Sequence, residues 1–303
     1  MKRMISILLL FLLSVTPVYA AEPDIAARGA ALIDGKTGRL LWGRNAEEPM
    51  TMASTTKIMT AILVLENCEM DEIVTISKNA AHQPEVHMDL QEGERWKVGD
   101  LLSAMMLRSC NDAAVAMAEH VSGNVESFCK EMTEKAGEIG AEDTVFGSPN
   151  GLDSHLDDTE HHSTAYDMAL IGAYALGNDR FREIIIQPEI YISDMDGKHD
   201  CSITNTDRFL QEYSGAIGVK TGYTNKAGHC FVGAAERDDV LLISCVLGSG
   251  WGDAGKRKKW TDTRNMMDYG FETFRPREVL KEGVDFGAVK VVDSPTEIVE
   301  TVV

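Results

Sequence analysis

Basic residues are scarce in this chain. Only 29 Lys and Arg stand against 48 Asp and Glu across 303 residues, a formal charge of −19. Such a surface repels nucleic acid and anionic membranes, so polyanion binding is excluded as the main activity. An anionic substrate would need a local positive site, set against the overall field. Cysteine is sparse too: six are scattered with no C-x-x-C pair, so neither a disulfide scaffold nor a zinc site is expected. There is no internal repeat, no low-complexity linker and no coiled coil. No apolar run reaches the ~20 residues that a membrane-spanning helix needs.

The longest apolar run, Ile5 to Leu13, follows Lys2 and Arg3 and precedes Val18-Tyr19-Ala20. That is the pattern of a secretory signal, with cleavage expected after Ala20; an uncleaved N-terminal anchor is the other reading. The leader holds two basic residues and no acid, so the mature chain carries about −21. The remaining composition, 44% hydrophobic and 25% charged, is that of a globular protein with a sizeable core.

Apolar periodicity divides the rest. "RGAALIDGKTGRLLWGRN" reads as a β-hairpin turning at Asp34, Gly35 and Gly38. A helix from about Met52 to Glu66 is apolar almost all round, as a central buried helix must be. "VGDLLSAMML" is a second helix, capped by Asp100; "RSCN" interrupts it, and "DAAVAMAEHV" opens a third that ends near Gly123. "VESFCKEMTEKAGEIG" and "TAYDMALIGAYALG" are further helices separated by a polar loop. After about Ile184 the pattern becomes β, with "GAIGVKTGYT", "HCFVGAAE" and "VLLISCVLG" as an antiparallel meander. "KKWTDTRNMMDYGFETF" is a final helix. Strands at both ends with helices between predict a mixed α+β domain. The N-terminal hairpin joins the C-terminal meander in one sheet, a helical lobe is inserted, and a cleft forms where the two meet. The expected divisions are 1–20 signal peptide, 21–283 one folded domain and 284–303 a short tail. A turn at Arg237-Asp238 would set Glu236 opposite Asp239 and Cys230 opposite Cys245. An exported protein could oxidise that pair; two buried free thiols are the alternative.

Three short motifs occur more than once, so context must choose among copies. Ser-x-x-Lys falls at Ser54/Lys57 and at Ser127/Lys130. The second pair lies in a charge-rich helix, where a solvated lysine stays protonated. In the first, the spacing puts both side chains on one face of the opening turn of an apolar helix. Burial and the helix dipole both lower a lysine pKa there, and a neutral amine can take the serine proton. The plain alternative is a helix-start serine and a snorkelling lysine. Ser-x-Asn falls at Ser109/Asn111, Ser122/Asn124 and Ser148/Asn150. Only Ser109 sits at a break between two apolar helices, where polar side chains can enter a cleft; a simple linker capped by Asn111 or Asp112 is the other reading. Lys-Thr-Gly falls at a hairpin tip, Lys36 to Gly38, and in a strand, Lys220 to Gly222. The strand copy follows Gly215 and Gly218, and glycines in a strand mark close approach of another backbone, as an extended peptide would make.

With these in place, "ASTTKIMTAILVLE", "LLSAMMLRSCNDAAVAMAEHVSG", "NGLD…HHSTAYDMA" and "GVKTGYTNKAGHCFVGAAERDD" resemble the low-molecular-mass penicillin-binding proteins, the serine D-alanyl-D-alanine carboxypeptidases, from about Ala27 to Phe274. The resemblance implies the β-lactamase/penicillin-binding-protein fold and catalysis without a cofactor or metal. It makes Ser54 the nucleophile, Lys57 the general base and Ser109 a proton relay to the departing D-Ala. Asn111 would hold Lys57 and the substrate amide, Lys220 and Thr221 the terminal carboxylate. Gly222 would clear room for the substrate, and the amides of Ser54 and Tyr223 would form the oxyanion hole. The implied partners are peptidoglycan stem peptides as substrate and β-lactams as inhibitors, met outside the cytoplasm. The eight histidines, His161 and His162 included, are expected to be loop residues rather than ligands.

Two departures stand out. The middle residue of Ser-x-Asn, commonly Gly or Asp in the family, is Cys110, whose side chain is expected to pack away from the cleft. The tail shows no basic amphipathic stretch, which leaves membrane anchoring open. Two rivals share the motifs. A serine β-lactamase needs a positioned glutamate, typically in Glu-x-x-x-Asn, but the loop from Phe146 to Asp179 holds only Glu160, with Thr164 four residues on. A non-catalytic wall-peptide or β-lactam sensor would have no need of the Ser54/Lys57 pair.

Overall fold

A computed structural model describes residues 21–154 and 156–275, and the backbone of 285–290 and 298–302. The expected signal peptide lies outside the described residues. In chain order the hairpin β1 (Gly29–Asp34) and β2 (Leu40–Arg44) comes first, then α1 (Lys57–Asn67) behind a 3-10 turn at Ala53–Thr56. Next come β3 (Ile73–Thr75), α2 (Lys78–Ala81), β4 (Arg95–Lys97), α3 (Val98–Arg108), α4 (Asn111–Ser122), α5 (Val125–Ile139), α6 (Ala165–Leu176) and α7 (Asp179–Ile185). A hairpin of β5 (Glu189–Ser193) and β6 (Asp200–Thr204) and the turn α8 (Phe209–Glu212) lead to β7 (Ala216–Thr224), β8 (Gly228–Arg237) and β9 (Val240–Leu247). Helix α9 (Gly252–Thr273) follows, then a separate pair, β10 (Asp285–Lys290) and β11 (Ile298–Val302).

The main sheet is antiparallel, in the order β2-β1-β9-β8-β7. The N-terminal hairpin thus joins the C-terminal meander through β1 and β9, as expected. Alternation along the strands assigns the two faces. Ala31, Ile33, Val232 and Ile243 point into the larger core under the helices, while Ala30, Leu32, Phe231 and Leu242 point towards α9. Helix α1 lies inside the larger core, with Lys57 through Val64 all buried. Its all-round apolar face has partners on every side, α3, α4, α5 and α6 among them. Helices α4 and α5 each end on a glycine in the left-handed region, Gly123 and Gly140.

Two local expectations fail. Asp100 does not cap α3: Lys97 occupies the N-cap without a side-chain bond, and Asp100 sits in the first turn, where its charge still suits the helix dipole. The β8–β9 turn falls one residue later than expected. Asp238 and Asp239 both adopt positive φ, 48° and 62°, the two-residue turn whose twist matches the strands. Arg237 therefore faces Val240, and Cys245 faces Val232 rather than Cys230. Both thiols are free and buried in the same core. Burial pushes the Cys230 thiol up to about 12 and that of Cys245 upwards as well.

Candidate active site

The 3-10 turn before α1 is built on a strained residue. Ala53 has φ 49°, unusual for a residue with a Cβ, and it turns the chain so that Ser54 leads into α1. One helical turn later Lys57 points back along the same face, fully buried. Its Nζ lies 2.9 Å from Ser54 Oγ, 2.8 Å from Asn111 Oδ1 and 2.5 Å from the Asn150 carbonyl oxygen. Two of those atoms, an amide oxygen and a backbone carbonyl, can only accept. The Ser54 hydroxyl also donates to the Asn150 carbonyl at 3.2 Å, so the two side chains share one acceptor; a neutral amine with its two N–H groups on Asn111 and Asn150 would have its lone pair free for the serine proton once the hydroxyl turns. Burial, first, and the nearby charge of Lys220, second, hold the Lys57 ammonium well below the usual lysine range.

Asn111 is fixed in turn. Its Nδ2 donates to the carbonyls of Pro84 and Glu85, both at 3.0 Å, which settles its oxygen towards Lys57. It opens α4 directly after the break where Ser109 holds φ 72° as the left-handed cap of α3. The Ser109 side of the break is partly exposed, and Cys110 is buried in the core.

Strand β7 is an edge of the sheet and runs past the serine. A Cβ on Gly222 would stand 2.9 Å from the Ser54 amide nitrogen and 3.1 Å from the Met52 carbonyl oxygen. Only glycine lets the strand lie this close, which answers why the triplet ends as it does. Lys220 is buried on the same strand, its Nζ 3.1 Å from the Thr221 carbonyl oxygen. Burial, then the charge of Lys259, bring its pKa down to about 8, with buried Asp207 pulling the other way. Beyond, Tyr223 is exposed with its ring 4.4 Å from that of His229, and a cleft of about 380 Å³ opens between Leu152–Ser154 and Tyr223–Lys226.

The rejected motif copies are elsewhere. Lys36 and Thr37 are exposed in a turn organised by Asp34 Oδ1, which accepts from both their amides. Lys130 is exposed and pairs with Glu134. Ser122 Oγ donates to Glu131, and Asn124 caps α5.

Residues 16–250 match the D-alanyl-D-alanine carboxypeptidase family, Peptidase_S11. The chain belongs to it. The enzyme is 32% identical to D-alanyl-D-alanine carboxypeptidase DacF of Bacillus subtilis, over 99% of this chain and 79% of that one. It is 32% identical to DacC of Escherichia coli, over 93% of this chain and 71% of the relative. A Streptomyces DD-transpeptidase superposes with a TM-score of 0.75 at 31% identity, covering 84% of this chain and 100% of that one. A penicillin-binding protein homologue from Mycobacterium tuberculosis gives 0.79 at 30%, covering 87% and 98%. The carboxypeptidase fold is therefore the mixed α+β arrangement of these serine DD-peptidases.

One part of the candidate site has no counterpart among the motifs. The segment Ser148–Gly151 carries a copy of Ser-x-Asn outside the helix break, yet its backbone completes the Lys57 cage. Gly151, at φ 82°, passes so near the Ala53–Thr56 turn that a Cβ there would fall 2.0 Å from the Ala53 carbonyl oxygen. Thr60 Oγ1 donates to the Pro149 carbonyl at 2.6 Å, tying the loop to α1. The only signal in the sequence was the Asn150-Gly151 pair itself, which reads as an ordinary turn.

Proposed function

We propose that this DD-carboxypeptidase, exported through its leader, removes the terminal D-Ala of peptidoglycan stem peptides through an acyl-enzyme on Ser54, and that penicillins acylate the same serine. One catalytic domain, 21–283, would carry the whole reaction. The observation behind the reading is the Lys57 amine, buried and 2.9 Å from Ser54 Oγ, with its other contacts to oxygens that only accept.

Lys57 takes the Ser54 proton, and the oxygen attacks the carbonyl of the penultimate D-Ala. The amides of Ser54 and Tyr223 receive the oxyanion, worth about 3 kcal/mol per donor in comparable enzymes. The proton passes through Ser109 to the D-Ala amine as the C–N bond breaks. Water, activated by the same amine, then releases the shortened peptide and regenerates Ser54. Asn111 orients Lys57 and the substrate amide, Gly222 gives the peptide room along β7, and Lys220 with Thr221 binds the terminal carboxylate. In a chain of charge −19, that lysine supplies the local positive site an anionic substrate requires.

A pH profile checks the two lysines. Lys57 works as the free amine, so kcat/KM rises as pH climbs through its depressed pKa. Lys220 works as the ammonium, so kcat/KM falls as pH rises through about 8, its free-enzyme value. In Lys220→Arg the cation does not titrate in this range, and the falling limb near pH 8 is expected to vanish while the rising limb stays. A limb unmoved by that change would assign it to another group.

The fate of the penicillin adduct separates this enzyme from a β-lactamase. Glu160, the one glutamate between Phe146 and Asp179, is exposed and its carboxylate accepts from the Asp157 amide at 3.0 Å. With that carboxylate engaged in a surface turn, the adduct at Ser54 is expected to outlast many catalytic turnovers in intact-mass spectrometry. Rapid turnover of a chromogenic cephalosporin would contradict this.

A further inference from the structure

At the far end of α1 from Lys57, three side chains of metal-binding type converge. Cys68 caps α1, Glu72 precedes β3, and His120 lies in the last turn of α4. Their donor atoms, one thiol sulfur, one carboxylate oxygen and one imidazole nitrogen, all lie within 4.8 Å of one another. We propose that Cys68, Glu72 and His120 form a binding site for a divalent transition metal of the zinc class, with water in the fourth position.

Three observations carry it. His120 Nε2 and Glu72 Oε2 are hydrogen-bonded to each other at 3.2 Å. Metal–ligand bonds of ~2.0–2.1 Å at the tetrahedral angle require an N···O edge of ~3.3 Å, so a metal can replace the shared proton with little movement of either atom. The carboxylate is also oriented by a second bond: Glu72 Oε1 accepts from the Glu69 amide at 2.8 Å, which keeps Oε2 on the His120 side. The backbone beneath each donor is fixed, since Cys68 N donates to Val64 O, Glu72 N to Glu69 O and Gly123 N to Glu119 O. Bringing the sulfur to the ~3.6 Å edge of such a tetrahedron then takes only side-chain rotation. The mixed S, N, O donor set favours zinc over calcium or magnesium, which take oxygen ligands. The acidic surface raises the local concentration of any dication.

The sequence hides this site because its donors come from three elements and have no motif spacing. The metal cannot enter the chemistry. Lys57 and Cys68 are separated by the length of α1, ~16 Å. It would instead join the ends of α1 and α4 whose opposite ends carry Lys57 and Asn111, and so stiffen the frame of the active site.

The experiment is a cobalt titration of the chelator-stripped full-length protein. Expected are one equivalent of Co(II) bound, an intense near-ultraviolet thiolate-to-metal band, visible bands of tetrahedral cobalt, and displacement by Zn(II). Cys68→Ser should remove the thiolate band, and His120→Ala should weaken binding at least tenfold. Zn(II) should raise the Tm of the wild type and of neither variant. Absence of the thiolate band in the wild type, or its persistence in Cys68→Ser, overturns the proposal. D-Ala release is measured in parallel and is expected to continue in the stripped wild type, so failure of the metal site is distinguishable from failure of the catalytic reading.

Discussion

Lys57→Met is expected to lower D-Ala release by on the order of 10³–10⁴-fold and to slow penicillin acylation by a similar factor, because one amine serves both reactions. Methionine fills much of the lysine's volume in a fully buried position, so packing is largely kept. What is lost is the proton acceptor 2.9 Å from Ser54 Oγ. Two effects on stability oppose each other. Asn111 Oδ1 loses its donor, at about 1–3 kcal/mol for a buried acceptor left bare, while the Asn150 carbonyl keeps the Ser54 hydroxyl as a donor at 3.2 Å. Against that, a desolvated amine, already held below its ordinary pKa by burial, is no longer carried in the core. The Tm should therefore move far less than the rate. Steady-state release of D-Ala from a D-Ala-D-Ala peptide, with thermal melting in parallel, decides it. Activity within tenfold of wild type would mean that another group takes the Ser54 proton. Ser54→Ala provides the limiting case, with no covalent penicillin adduct at all.

Much of this was legible in the sequence, for reasons that can be traced to particular residues. The choice of Ser54 over Ser127 followed from burial: an apolar helix after Lys57 and a charged one around Lys130 lead to opposite solvation, and the structure has the first lysine buried and the second exposed. The choice of the strand copy of Lys-Thr-Gly followed from glycine spacing, and Gly222 does lie against the turn that carries Ser54. The misses share a different cause. A hairpin register depends on backbone torsions at the turn, and Asp-Asp in left-handed geometry competes with Arg-Asp on nothing the apolar pattern records. The Asn150 contribution is a backbone carbonyl, which every residue has, so no side-chain motif could announce it. Helix α2, the antiparallel pair β3–β4 and the hairpin β5–β6 are short pieces fixed by tertiary contact rather than by their own periodicity.

The residue expected to be least tolerant outside the motifs is Gly151. Gly151→Ala meets two independent penalties. At φ 82° a Cβ costs roughly 1–3 kcal/mol of backbone strain. Steric overlap adds to it: the new carbon would lie 2.0 Å from the Ala53 carbonyl oxygen and 2.8 Å from the Ser54 nitrogen, both main-chain atoms with no rotamer to escape into. Either the 148–151 loop or the 53–54 turn must retreat by an ångström or more. Retreat of the loop withdraws the Asn150 carbonyl from Lys57; retreat of the turn moves Ser54 and its amide away from β7. A displacement of that size at a reacting centre costs around 10²-fold in rate. The expected result is a fall in kcat of at least that order and a Tm lower by roughly 5–15 °C, taking about 2–4 °C per kcal/mol for a domain of this size. Gly140→Ala is the control: it has φ 90° but no atom within 4 Å of a built Cβ. It should share the strain and part of the Tm loss while leaving kcat intact. Equal losses of kcat in both variants would show that backbone strain alone governs the effect, and that the contact between the loop and the nucleophile turn does not matter for catalysis.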